Sequence, residues 1–267
     1  MPGDRVDMIR TGQGPPLVLI HGLGHRWQAW EPVIDRLSAV HDVLALDLPG
    51  FGASPVPAGG MPADMAAMAA VVADLLAAEG LDRPHVAGNS FGGGVALELA
   101  AAGRAASATA FAPAGFSTSA QRRQTLALLW TLRAATFLPE PAIRLLLRSP
   151  SMRALCFGLL VTHPRRLPAA RAVGDALAMR RGRGFRGAAR ATRGYRFTAQ
   201  PAVPVTIAWG EHDRVLPPRQ AAHARARLPG AHHVTLPGCG HVPMYEDPHL
   251  VAKTILATTG AGAQPDG

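Results

Sequence analysis

Lysine is almost missing from this chain: Lys253 stands alone beside 26 arginines. The skew reads as codon composition more readily than as a demand for guanidinium chemistry. Cysteine is equally scarce. Cys156 and Cys239 cannot build a disulfide framework and lack metal-ligand spacing, so neither a stapled scaffold nor a metal site is expected, and no cofactor is called for. No uninterrupted apolar stretch of about 18 residues occurs, which argues against a spanning helix. Residues 1–13 lack the apolar core of a signal peptide, so a soluble protein in a reducing, cytoplasmic compartment is the expectation. Acids are missing from one place in particular. Residues 117–196 hold 16 arginines and only two acids, Glu140 and Asp175. The rest of the chain carries 11 basic and 16 acidic residues, so the whole net excess of +9 resides in that one segment. Codon usage does not explain why acids vanish there.

What is present is ample core material. Hydrophobic residues make up 48% of 267, enough for one large α/β domain or a domain carrying an insertion. Residues 5–10 read as a short strand, and 17–20 and 42–46 as short apolar strands buried on both faces. Helical periodicity covers 27–37 and 63–78. A strand over 84–88, a helix over 95–102 and a strand over 107–112 follow. From about 115 to 199 no buried strand is visible, and helices over 125–137 and 142–147 are punctuated by Pro139, Pro141, Pro150, Pro164 and Pro168. Strands return at 205–209 and 233–236, then a helix over 248–258 and a polar tail over 260–267. Alternating strands and helices imply a mostly parallel sheet covered on both faces, with the strand-free segment inserted into it.

The informative stretch is Gly88-Asn89-Ser90-Phe91-Gly92, a Gly-x-Ser-x-Gly pattern between an apolar strand and an alanine-rich helix. Such a serine sits on a sharp, strained turn, where a Cβ at Gly88 or Gly92 would clash. A serine hydroxyl needs a base, and the base needs an acceptor. His241, in a glycine-rich loop after a strand, is the best base. Asp213, also just past a strand, is the best acid. Glu211 is the rival acid, and the loop after 107–112 offers none. His212 reads as a loop residue, and His232, His233 and His249 as surface or strand-end residues. His25 reads equally as a pocket-mouth residue and as a solvated helix start. Asp47 is expected to tie down its own turn, and Cys239 to be a packing residue. The N–H of Phe91, directly after the serine, is one expected oxyanion donor.

The order Ser90, Asp213, His241 resembles that of the α/β-hydrolase fold superfamily in its capped, esterase-like form. The resemblance extends over 5–258 and rests on His21-Gly22, Asp47-x-x-Gly50-x-Gly52-x-Ser54, the serine turn, Gly210-x-x-Asp213 and Gly240-His241. It implies an α/β fold with a mostly parallel central sheet flanked by helices. The core would be 1–115 and 200–267, and 116–199 a helical cap. It also implies Leu23 as the second oxyanion donor, with Gly24 next. One strand fits before residue 17, where many relatives have two. The activity implied is serine hydrolysis of a carboxylic ester or related acyl bond through an acyl-enzyme. A carbon–carbon bond hydrolase of the ring-cleavage type is similar in its Gly-Asn-Ser turn, but Val242 stands where those carry an aromatic residue. A non-catalytic binder on the same fold is the remaining alternative. The expected partner is a small acyl substrate, anionic or lipid-like if the arginines of 180–186 attract it, a solvated loop if they do not. Nucleic acid is not expected, because aromatic residues do not interleave with the arginines.

Overall fold

The structure, a computed structural model, describes residues 6–261. The first residue of the expected opening strand, and 262–267 of the polar tail, lie outside them. In chain order the elements are β1 (Met8–Thr11), β2 (Pro16–Ile20), a 3-10 turn (Trp27–Trp30), α1 (Glu31–Ser38), β3 (Asp42–Leu46), α2 (Met65–Ala78), β4 (His85–Asn89), α3 (Phe91–Ala101) and β5 (Ser107–Phe111). Helices α4 (Ser119–Ala135), α5 (Glu140–Leu146), α6 (Pro150–Phe157), α7 (Ala169–Arg181) and α8 (Phe185–Ala191) follow with no strand among them. The chain then returns to β6 (Val205–Gly210), α9 (Arg219–Arg227), β7 (His232–Leu236) and α10 (Pro248–Thr259).

The seven strands form one sheet in the order β1-β3-β2-β4-β5-β6-β7. Only β1 runs antiparallel, against β3. Period-two alternation divides the strand side chains between two cores. Val18, Ile20, Leu44, Leu46 and Val86 face one cluster, which α2 and α3 complete with Met68, Val72, Val95 and Leu99. Leu17, Leu19, Val43, Ala45 and Ala87 face the other, closed by the 3-10 turn, α1 and α10 through Trp30, Val33, Leu37, Val251 and Ile255. Burial on both faces is why β2 and β3 read as continuous apolar runs.

Several helices differ from their sequence-based limits for local reasons. α4 begins six residues before the expected 125, because Thr118 and Gln121 form a capping box. α6 and α7 went unread because Pro150 and Pro168 look like breakers. Each stands at a helix start, where the absent N–H has no partner to lose. α9 was missed because its sequence, Arg219 to Arg227, is too polar to show an apolar stripe; only Gln220 and Ala224 are buried. The arginines of 180–186 do not form a free loop. Arg180 and Arg181 end α7, where Arg180 donates to the Leu138 carbonyl at 3.1 Å and Arg181 pairs with Glu140 at 3.2 Å. Among the described residues, no helix is long and apolar enough to cross a membrane.

Candidate active site

The loops leaving β2, β4, β6 and β7 meet at the carboxyl edge of the sheet, where open α/β sheets place their sites. Ser90 follows β4 directly and is the residue before α3. Its backbone sits at φ 56° and ψ −112°, a conformation that costs a non-glycine residue about 1–3 kcal/mol. The surroundings hold it there. Its N–H donates to the Phe111 carbonyl at 2.9 Å, and its carbonyl accepts from Gly94 at 3.1 Å and Ala114 at 2.9 Å. The flanking glycines answer to close approach. A Cβ on Gly88 would lie 2.1 Å from the Gly92 carbonyl oxygen, and one on Gly92 2.3 Å from that of Ile20.

Asp213 and His241 come together. His241 Nδ1 lies 2.7 Å from Asp213 Oδ2, and both side chains are buried. The backbone N–H groups of Val215 and Leu216 each donate to Asp213 Oδ1 at 2.8 Å, so both oxygens of the carboxylate are occupied. With Nδ1–H donating to the acid, Nε2 of the neutral ring is an acceptor. Ser90 and His241 line the same cavity, of about 170 Å³, with Leu23, Leu129, Phe157 and Met179 among its apolar walls. Leu23, Ser90 and Phe91 also share a smaller recess of about 50 Å³. Neither the Leu23 nor the Phe91 N–H donates to a carbonyl among the described residues.

The other candidates fall elsewhere. Glu211 is half-exposed and accepts from the Gly238 N–H at 3.0 Å, with no hydrogen bond to His241. His212 is exposed on the same loop. His232 and His249 are exposed, and His233 bonds the Leu228 carbonyl at 2.9 Å. Asp47 does tie down its turn: it accepts from Ala53 at 2.8 Å and from Trp27 at 2.7 Å. Burial pushes its carboxyl up from the ordinary carboxylate range. His21 is fully buried as a neutral strut. Its Nδ1–H donates to the Gly22 carbonyl at 2.8 Å, Nε2 accepts from Leu48 at 2.9 Å, and burial depresses its pKa to about 3. Cys239 is buried, its thiol pushed up to about 12 by burial and then by Glu246 and Asp247. His25 lines the cavity.

Sequence reasoning passed over two residues that hold the His241 loop. Asn89 Nδ2 donates to the His241 carbonyl at 3.0 Å and to the Phe111 carbonyl at 3.3 Å, tying the loop to β4. Its position inside the serine turn was the available signal. Glu246 accepts from the Gly240 N–H at 2.5 Å and from the Thr162 N–H. No local pattern marks a residue that joins a loop to a helical segment 84 positions away. Asp175 and Tyr245 also reach the cavity, from α7 and from the turn after His241. Among the described residues no group of three His, Cys, Asp or Glu side chains is gathered as metal ligands would be.

A mostly parallel α/β sheet with a serine turn, and a buried Asp–His pair whose histidine lines the same cavity, defines a class of fold and site, and sequence comparison gives it a family. The model of the alpha/beta hydrolase family matches residues 17–254, and the chain belongs to that family. It is 33% identical over 252 residues to the dihydrolipoyllysine-residue acetyltransferase component of an acetoin cleaving system from Cupriavidus necator. That match covers 91% of this chain and 63% of the relative, so the chain spans less than two thirds of that protein. A shorter match, 40% identical over 95 residues, is to a pimeloyl-[acyl-carrier protein] methyl ester esterase from Aeromonas hydrophila; it covers 36% of this chain and 35% of the esterase. Among solved structures, a membrane phospholipase A superposes with a TM-score of 0.76 at 27% identity, over 96% of this chain and 83% of that one.

Proposed function

We propose that this member of the family is a serine hydrolase that cleaves a carboxylic ester or related acyl bond through an acyl-enzyme. Ser90 Oγ attacks the acyl carbon while His241 Nε2 takes its proton. Asp213 fixes the ring and stabilises the imidazolium that forms. The N–H groups of Phe91 and Leu23 receive the charge developing on the acyl oxygen, each such donor contributing about 3 kcal/mol to transition-state stabilisation. The tetrahedral adduct collapses, the leaving alcohol takes the proton from His241, and water repeats the sequence to free the acid and Ser90. Residues 116–199 act as a cap on a core of 1–115 and 200–267, and no metal or cofactor takes part. The observation that carries this reading is the 2.7 Å Asp213–His241 bond facing the cavity in which Ser90 stands at positive φ.

The substrate we propose is a small acyl compound with an apolar acyl portion and an anionic or lipid-like remainder. The apolar cavity walls support the first part. For the second, α4, α8 and the turn after α8 together present Arg122, Arg123, Arg186, Arg190 and Arg193 along a separate groove of about 890 Å³. The esterase and phospholipase names among the relatives agree with an acyl ester.

The test is labelling followed by substitution. A fluorophosphonate should modify Ser90, and Ser90→Ala should lose both labelling and about five to six orders of magnitude in p-nitrophenyl ester turnover. Asp213→Asn should cost about four orders, while Glu211→Gln leaves the rate within a few-fold. A folded Ser90→Ala protein with wild-type turnover would remove Ser90 from the mechanism. A crippling Glu211→Gln beside a mild Asp213→Asn would reassign the acid.

A further inference from the structure

Two buried aspartates lie near the cavity, of which Asp175 lines it, and their bonding differs. Asp213 has both oxygens filled. Asp175, only 6% exposed on α7, has one. The Tyr245 hydroxyl donates to Asp175 Oδ2 at 3.0 Å, while Oδ1 is buried and has no hydrogen-bond partner among the described residues. His25 completes the group, its Nε2 lying 3.6 Å from Asp175 Oδ2 and 3.4 Å from the Tyr245 hydroxyl. All three line the cavity that holds Ser90 and His241.

A carboxylate kept only for architecture would have both oxygens satisfied, as Asp47 does, because a buried acceptor left unpaired costs about 1–3 kcal/mol. Asp175 carries that cost in a wall otherwise made of Leu129, Leu132, Ile143, Leu147 and Met179. It is also one of two acids in the arginine-rich segment 117–196. Tyr245 offers no second proton: its one hydroxyl hydrogen is committed to Oδ2, and burial together with Asp175 holds its pKa well above the ordinary phenol value. The Arg171 guanidinium lies behind, 5.2 Å from the Tyr245 ring centroid, bonded to Glu31 and to the Gln28 carbonyl.

We propose that Asp175, set by Tyr245 and His25, is a specificity site for substrates whose cavity-bound portion carries a hydrogen-bond donor, a hydroxyl or an ammonium, away from the scissile bond. Because Oδ1 is buried, the carboxylate turns toward the cavity to meet the donor, while the intervening chain fills the apolar walls. A methyl in the donor's place leaves the oxygen unpaired, and a carboxylate there is repelled. This assignment rests on the Ser90 hydrolase reading for the direction in which the substrate lies.

The experiment compares matched esters that differ at one terminus, methyl, hydroxyl, ammonium or carboxylate, placed in the acyl or in the alcohol part. Wild-type kcat/KM should favour hydroxyl or ammonium over methyl in one of the two series. Asp175→Leu should shrink that ratio by about tenfold to a hundredfold. Asp175→Asn, which keeps an acceptor without the charge, should retain part of the hydroxyl preference and lose the ammonium preference. All four esters falling together in both variants, or an unchanged ratio in Asp175→Leu, would make Asp175 a structural residue. Calorimetric binding of an alkanediol against the matched alkanol, on Ser90→Ala and Ser90→Ala/Asp175→Leu proteins, separates this from the hydrolase reading. A diol preference that needs Asp175 upholds the site even if the wild type turns over no ester. Absence of that preference together with absence of turnover overturns both.

Discussion

His21 and His241 are both buried in loops that follow strands of the sheet, and each is defined by what its Nδ1 meets. For His241 it is a carboxylate, for His21 the carbonyl of the next residue. A ring walled off and bonded as neutral carries a pH signature. His21 titrates near 6.5 when unfolded and at about 3 when folded, so below pH 6.5 the unfolded chain binds the extra proton. The stability that the neutral ring contributes is therefore complete above pH 6.5 and lost as pH falls toward about 3. Asp47, 4.0 Å away, is held to its own turn by backbone N–H groups and offers the His21 cation no hydrogen bond. Urea midpoints at pH 7 and pH 4 should show a wild-type loss exceeding that of His21→Gln by about 3 kcal/mol. Equal losses would mean that His21 is protonated in the fold or reached by water. The pattern His21-Gly22 was readable in the sequence; its burial was not, because it depends on Leu48 and Phe51 closing over it from another loop.

Between elements, the joints matter more than the elements themselves. The strands and the helices of the core were legible because each carries its own periodicity, and the positions of Ser90, Asp213 and His241 were legible because each follows a strand that can be recognised alone. The insertion's grip on the His241 loop was not legible. The Leu160 carbonyl accepts from the N–H groups of His241 at 2.9 Å and Val242 at 3.1 Å, and Glu246 bonds Gly240 on one side and Thr162 on the other. These bonds join the turn after α6 to the loop after β7, and no spacing rule relates the two. Removing the Glu246 carboxylate leaves two N–H groups unpaired, each at a cost of about 1–3 kcal/mol. Glu246→Ala should therefore lower kcat about tenfold or more with little change in KM, and slow fluorophosphonate labelling of Ser90 in proportion. Glu246→Gln, which keeps one acceptor oxygen, should recover part of both. If kcat and labelling stay at wild-type values while the melting temperature drops, the clamp is structural and does not orient His241.

At the scale of the whole molecule, the charge is sorted as firmly as the hydrophobicity. The missing acids of 117–196 were visible in the sequence, but the arginines that stand free were not, since freedom is a matter of partners. Arg144, Arg171 and Arg181 pair with Glu140 or Glu31, and Arg180 and Arg133 bond carbonyls. Arg122, Arg123, Arg186, Arg190 and Arg193 line their own groove, with no acid partner among the described residues, although Arg122 also donates to the Arg193 and Tyr195 carbonyls. Burial, with Arg196 and Arg123 close by, pushes the Arg122 guanidinium down from its usual range, as crowded like charges do. A field from five such groups concentrates anions near the insertion, and salt screens it within about 8 Å at physiological ionic strength. Steering acts on encounter and leaves the chemical step alone. For a substrate carrying an anionic group, kcat/KM should fall severalfold between 20 mM and about 500 mM salt while kcat stays constant, and a neutral ester should show neither change. Reversing Arg123, Arg186 and Arg190 to glutamate should abolish the salt dependence, whereas reversing Arg180 and Arg183, which lie outside the groove, should leave most of it. If the triple and the double variant behave alike, long-range net charge governs encounter and the groove has no role of its own.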